Sequence, residues 1–209
     1  MMDAQAIFEA MDGVVMLIDG DLRIVRIGRT NWNEFRIGNG GTALDPENAQ
    51  GSTVTRYFSA GIVRDTYQQL FKKVLGGVRG HVAIEYRCDS PDTRRQMRLS
   101  VTPVREAGTI THILYQSTLL SENMRPPLFL FSAPSVNSVS EISDAFEKTI
   151  GICSICSKVK QPNATSHEDE WIEAQEYYHH GGSDDVVLSH GFCPPCYDRL
   201  MAEIPRGAA

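Results

Sequence analysis

The sequence predicts an α+β chain in two parts: a five-stranded antiparallel sheet flanked by helices, then a small module organised by a metal. Three observations predict it. Five segments alternate or run apolar over strand lengths, with turn residues between them. One longer stretch, Thr53 to Leu75, repeats its apolar residues at three and four. Four of the five cysteines fall in two Cys-x2-Cys pairs, Cys153/Cys156 and Cys193/Cys196, with 36 residues between the pairs.

The elements follow in order. Asp3 to Met11 predicts a short helix with Ile7, Phe8 and Met11 on one face. Val14–Asp19 and Leu22–Ile27 predict a hairpin that turns at Gly20-Asp21. Thr30 to Gln50 is broken by Gly38, Gly40, Gly41 and Pro46, so only short helical pieces are expected, one around Asn31–Phe35. Thr53–Leu75 predicts one long helix with Val63, Tyr67, Leu70, Phe71 and Val74 inward, stopped by Gly76-Gly77. His81–Cys88, Gln96–Val104 and Thr111–Leu120 predict three strands. Charge on one side of the first two suits a sheet with one wet face.

Residues 123–150 predict a linker and connecting helix. Pro126, Pro127 and Pro134 keep the early part extended. Leu128-Phe-Leu-Phe131 needs burial, on the sheet or on a partner chain. Ser138-Val-Ser-Glu141 is a capping box that opens a helix to about Thr149.

Residues 151–209 hold the metal-binding pattern. Two residues between cysteines let both thiolates reach one ion from a tight turn, and four thiolates suit tetrahedral zinc. Disulfides would use the same residues in an oxidising compartment, an iron–sulfur cluster would use the same ligands, and a redox pair would need only one Cys-x2-Cys. Zinc in a closed structural site is the leading reading. Ser157–Lys160 predicts a strand leaving the first pair, and Tyr197–Ile204 a helix after the second, a treble-clef-like order. His190 is an alternative ligand, with a turn or supporting role preferred. Trp171 is the expected centre of the module's core. His179-His180 with Asp184-Asp185 could take a second metal, but Gly181-Gly182 between them favours a mobile loop. Arg87, Arg94, Arg95 and Arg98 read as a solvated hairpin, with an anion or acidic partner as the alternative.

Charge restricts function. Residues 151–209 carry four basic and nine acidic side chains, a net −5 of the chain's −6. That sign disfavours nucleic acid. No secretory leader and no apolar run of membrane-spanning length is present, so a cytoplasmic location with no membrane contact is expected.

The order strand, strand, small helices, longer helix and three strands, from about Val14 to Glu122, resembles a PAS sensor domain. Tyr86-Arg-Cys-Asp-Ser-Pro91, Arg94-Arg95, and Cys153-Ser-Ile-Cys156 with His190-Gly-Phe-Cys193-Pro-Pro-Cys196 resemble short bacterial proteins. In these a PAS domain precedes a zinc module. The resemblance implies a PAS domain over residues 1–122, a sensory or signalling role, and a homodimer paired through the N-terminal helix and the exposed sheet face. It names no ligand. Flavin photosensors of this family use a reactive cysteine in an Asn-Cys-Arg-Phe-Leu-like run, absent here. Haem-binding members need an axial ligand, often a His on the long helix, and Thr53–Leu75 has none; His81 and His112 fall in or beside strands.

No phosphate loop, Gly-x-Ser-x-Gly or open three-ligand zinc site is present. The expected function is therefore a non-catalytic regulator whose zinc module contacts a protein partner, through helix Tyr197–Ile204 and the acidic loop Glu168–Glu176. A redox sensor acting through zinc thiolates and a DNA-binding regulator are the alternatives.

Overall fold

The computed structural model describes residues 3–38, 45–59, 61–132, 149–162 and 171–204. Five strands, β1 (Val14–Asp19), β2 (Ile24–Ile27), β3 (Val82–Arg87), β4 (Thr93–Glu106) and β5 (Thr109–Met124), pair antiparallel in the order β2-β1-β5-β4-β3. Between β2 and β3 lie α2 (Arg29–Gly38), α3 (Pro46–Ala49) and α4 (Ile62–Leu75). This is the PAS fold. Its core lies between one sheet face, with Ile18, Leu99, Val101 and Ile113, and α4, with Leu70, Phe71 and Val74.

Helix α1 (Ala4–Ala10) lies across α2 and β2. Its own residues are not fully buried, and polar contacts tie it down. Gln5 Nε2 donates to Ile27 O at 2.9 Å, and the Glu9 carboxylate accepts from the Arg29 and Thr30 amides at 3.1 and 2.9 Å. Those amides are free first-turn donors of α2, so the carboxylate caps that helix. The Thr30 amide bond, foremost, holds the Glu9 carboxyl down to about 2 from an ordinary 4.5. The folded value is depressed, so this contribution is complete above about 4.5 and is lost as pH falls toward 2. The protection factors of the Arg29 and Thr30 amides, their exchange relative to an unstructured chain at the same pH, are expected to fall over that range. In Glu9→Gln the protection factors should be low and nearly independent of pH across the same window.

Three predicted boundaries differ. Thr53–Leu75 is not one helix: a 3-10 turn at Val54–Tyr57 is followed by α4 from Ile62. Gly61 stands between them at φ +74°, a conformation that breaks a helix, and Phe58 turns back to stack on Tyr67 with centroids 4.4 Å apart. The five predicted inward residues of the second piece are all buried. Strand β2 starts two residues late because Leu22 adopts φ +62° and extends the turn, while the Asp19 carboxylate accepts from the Asp21 and Arg23 amides. Strands β4 and β5 outrun their predicted ends, so their hairpin pairs from Glu106/Thr109 out to Thr93/Met124.

The C-terminal part forms a second sheet, ordered β8-β7-β6-β9, from β6 (Thr149–Cys153), β7 (Val159–Lys160), β8 (Trp171–Ile172) and β9 (Val187–Gly191). Helix α5 (Pro194–Glu203) closes it. Strand β6 runs parallel to β9 and antiparallel to β7. The helix expected over Ser138–Thr149 lies outside the described residues except at Thr149, which opens β6.

Two expectations about this part's core are corrected. Trp171 is only half-buried, with Lys160 Nζ 6.0 Å from its ring centroid. The enclosed aromatic is Tyr177, among Leu130, Ile152, Val159, Val186 and Leu188. Of Leu128-Phe-Leu-Phe131, Leu128, Leu130 and Phe131 pack on this core rather than on the PAS sheet, while Phe129 stays exposed. Leu130 is fully buried there, and its amide donates to the Tyr178 hydroxyl at 2.8 Å. The His179–Asp185 segment is likewise tied rather than loose: the Tyr177 hydroxyl donates to Ser183 O at 3.1 Å, and the Tyr178 hydroxyl bonds Asp184.

Gly182 packs flat on the Tyr177 ring, and a Cβ there would lie 2.2 Å from a ring carbon. The ring is enclosed and held by its hydroxyl, so it cannot retreat. Gly182→Ala is expected to destabilise the C-terminal part by about 1–3 kcal/mol, measured as a lower urea midpoint. Gly151→Ala is the comparison, since its Cβ meets only the flexible Lys160 side chain.

Candidate metal centre and the seam beside it

Strand pairing assembles the four cysteines. Cys153 ends β6, whose register places it opposite Gly191 of β9, two residues before Cys193. The chain then folds back: the Ser157 amide donates to Cys153 O at 2.9 Å, and the Cys153 amide to Lys158 O at 2.8 Å. Ser157 at φ +57° makes that turn possible. Cys193 is the N-cap of α5, and Pro194-Pro195 after it fix φ for the first helical positions. Cys196 then faces back toward the knuckle from the first turn.

The four Sγ atoms lie within 4.8 Å of one another, and Cys156 Sγ is 3.7 Å from Cys193 Sγ. A tetrahedral ion with Zn–S bonds of about 2.3 Å requires S···S edges of about 3.8 Å. A disulfide requires about 2.05 Å, and all five cysteines are free thiols. The donor set therefore fits a four-thiolate metal site. His190 lies outside the cluster. The His179, His180, Asp184 and Asp185 group is not gathered into a second site among the described residues.

Without a cation, four clustered thiols cannot all ionise. Cys153 is held down to about 5 by the bond from the Cys156 thiol, helped by backbone amides. Cys156 is pushed up by that same bond and by burial, and Cys196 rises to about 12 through burial and the Cys153 charge. One thiolate is thus ready, and a cation displaces the remaining protons, so metal affinity falls in acid.

The knuckle is fastened to the PAS sheet. The Arg87 amide, at the end of β3, donates to Ile155 O at 2.8 Å, and its Nη1 to Cys156 O at 3.0 Å. Arg87 also pairs with Asp89, and with Glu173 at 3.3 Å. The Asp89 carboxylate is fully enclosed and accepts from Arg125 at 2.9 Å and from the Arg95 amide at 3.2 Å. On the other flank Arg79 Nε donates to Glu203 O at 3.0 Å, binding the C-terminal end of α5. Ile155, Leu200 and Ile204 join one continuous apolar core with Val82 and Ile84.

The predicted solvated arginine hairpin is therefore corrected. Arg98 does pair on the surface with Glu85, but Arg87 and Arg95 are buried, Arg95 against Glu122 at 2.6 Å. The acidic partner is within the chain. Strict alternation assigned Arg87 to the wet face, and it fails because the C-terminal part covers the end of β3. Arg87-Cys-Asp89 was visible in the sequence, but nothing local marked its charges as buried.

Two cavities adjoin. One, about 310 Å³, lies inside the PAS fold between Met16, Trp32, Phe35 and Tyr115. The other, about 390 Å³, lies in the seam, with Phe58, Tyr67 and Tyr115 on the PAS side and Ser154 and His190 on the other. Cys88 lines the seam, its thiol pushed up by burial. His81 and His112 lie outside both linings and bond Thr102 and Thr111 through Nδ1, each at 2.9 Å.

No protein-family profile and no curated protein sequence matches the chain. Solved structures do. It is similar to a sensory box sensor histidine kinase from Vibrio cholerae, with 16% identity over 56% of this chain and 88% of that one, TM-score 0.39. It is similar to the PAS domain of the histidine kinase ThkA, with 14% identity over 52% and 99%, TM-score 0.37. A third likeness is the PAS domain of an HTR-like protein from Haloarcula marismortui, with 15% identity over 56% and 88%, TM-score 0.37. No described helix is long and apolar enough to cross a membrane.

Proposed function

We propose that this chain is a non-catalytic signalling regulator. Its PAS domain, residues 1–122, receives a signal, and residues 151–209, built on structural zinc at Cys153, Cys156, Cys193 and Cys196, present a surface to a protein partner. Residues 123–150 join them. One observation carries the reading: the end of β3 holds the carbonyls of Ile155 and Cys156 through Arg87, so a shift of that strand moves the metal knuckle. Four thiolates close the ion's shell and leave no place for a catalytic water, so the module acts by shape and surface. The reading includes a cytoplasmic homodimer.

The partner surface combines α5 with the acidic run Glu168–Glu176, of which Glu168–Glu170 lie outside the described residues. Glu168→Lys, Asp169→Lys and Glu170→Lys together are expected to weaken partner capture in a pull-down while zinc content stays at about one per chain. Capture unchanged in that variant, but lost when residues 1–122 are deleted, would move the output to the PAS domain.

The redox reading has one observation in its favour. Cys156 is the least buried ligand, so an oxidant reaches it first. Zinc release under mild peroxide tests it. The DNA-binding reading has the acidic C-terminal part against it.

A further inference from the structure

We propose that Arg199 is a positioning residue of the metal centre: its guanidinium holds the Cys196 sulfur and shields that one ligand from electrophiles. This role rests on the four-thiolate zinc reading above.

Helical geometry supplies the contact. Arg199 follows Cys196 by three residues on α5, and helical side chains lean back over the preceding turn. Its Nη2 lies 3.7 Å from Cys196 Sγ, within reach of an N–H···S hydrogen bond. Among the described residues no carboxylate pairs with Arg199. Glu203, one turn on, is taken by Arg79 at 3.2 Å, and Glu85 of β3 by Arg98 at 2.8 Å.

The sulfur has a use for that donor. Backbone amides of Ile155, Cys156 and Cys193 act on the Cys153 sulfur, and the Lys158 amide acts on Cys156. Around Cys196 burial and the other cysteine side chains dominate instead. Zinc held by four thiolates carries a net charge of about −2, and buried charge is costly without compensation. Arg87, beside the knuckle, is committed to Asp89, Glu173 and Cys156 O. Arg199 offers a cation that never loses its proton, aimed at the sulfur itself.

Access makes the contact matter. A third cavity, about 290 Å³, lies between α5 and β3, with Cys196, Arg199 and Leu200 on one side and Ile84 and Ile155 on the other. A small reagent in it adjoins Cys196, and Arg199 stands on the same wall. A hydrogen bond from a cation draws on the sulfur lone pairs, the electrons that an electrophile takes. Cys196 is therefore approachable but held back, and attack falls on Cys156, the least buried ligand.

The test uses the zinc-loaded full chain, its metal content measured first, with N-ethylmaleimide as the electrophile. The sulfur forms an S–C bond, the alkene π pair moves to the adjacent carbon and takes a proton from water, and the metal loses that ligand. Peptide mass spectrometry over time is expected to show Cys156 modified first in the wild type and Cys196 late. In Arg199→Leu, Cys196 should react about five-fold faster while Cys156 keeps its rate. Chelator competition should show about ten-fold weaker zinc binding in that variant. Arg199→Lys should restore most of both. Glu203→Gln releases the end of α5 from Arg79 without touching the sulfur, and should leave the order of modification unchanged. Should Arg199→Leu purify without zinc, Arg199→Gln carries the same comparison. A uniform rise at all four cysteines, or an unchanged rate at Cys196, overturns the role of Arg199 while the zinc reading stands. A wild-type chain that holds no metal overturns both.

Discussion

Cys153→Ser is expected to reduce bound zinc from about one per chain to near zero and to unfold the C-terminal part. In small zinc modules the metal contributes about 10–16 kcal/mol of apparent binding free energy, comparable with the whole stability of a domain. The effect should reach the PAS sheet. Ile155 and Leu200 share a core with Val82 and Ile84, so amides of β3 should lose protection together with those of β6 and β9. Metal analysis with amide exchange checks this, and a metal-free variant with β6 and β9 still protected would refute it.

Asp89→Ala should cost about 3–5 kcal/mol, seen as a lower urea midpoint. The carboxylate is fully enclosed between the Arg87 and Arg125 guanidinium groups, and its removal leaves both cations buried without it. Arg125 would also lose part of what holds it over the Phe131 ring, 4.5 Å away. Glu85→Ala is the control. Its pair with Arg98, at 2.8 Å, is half-exposed, and such pairs are worth about 1 kcal/mol or less. If the two variants unfold alike, the Asp89 cluster is not what locks the seam.

Periodicity made most of the fold legible. Strands β1 and β3 to β5 and helix α5 fall on the segments that alternation or helical spacing marked, and α4 on the second half of the predicted long helix, with the boundary differences given above. The cysteine cluster was legible for a different reason: paired spacing encodes a turn, and each turn brings its two thiols together without reference to the rest of the chain. What escaped were contacts between distant segments. Arg87, Asp89 and Arg125 look like surface residues until the C-terminal part is laid over them. Tyr177 was overlooked in favour of Trp171 because size was the only local guide, whereas enclosure depends on Leu130, which arrives from the linker. The seam cavity could not be read from sequence, since its wall draws on both parts.

The parallel pairing of β6 with β9 imposes an order of assembly. An antiparallel hairpin forms from its own turn, but a parallel pair must first bring together segments far apart in sequence. Here 36 residues separate the cysteine pairs, and closing such a loop costs about 3 kcal/mol of chain entropy. The first pair sits on a local turn, and the second is brought to it by the pairing of β9. The four thiols are gathered only when that long-range pairing is made, so the cysteine cluster and the β6–β9 pair depend on each other.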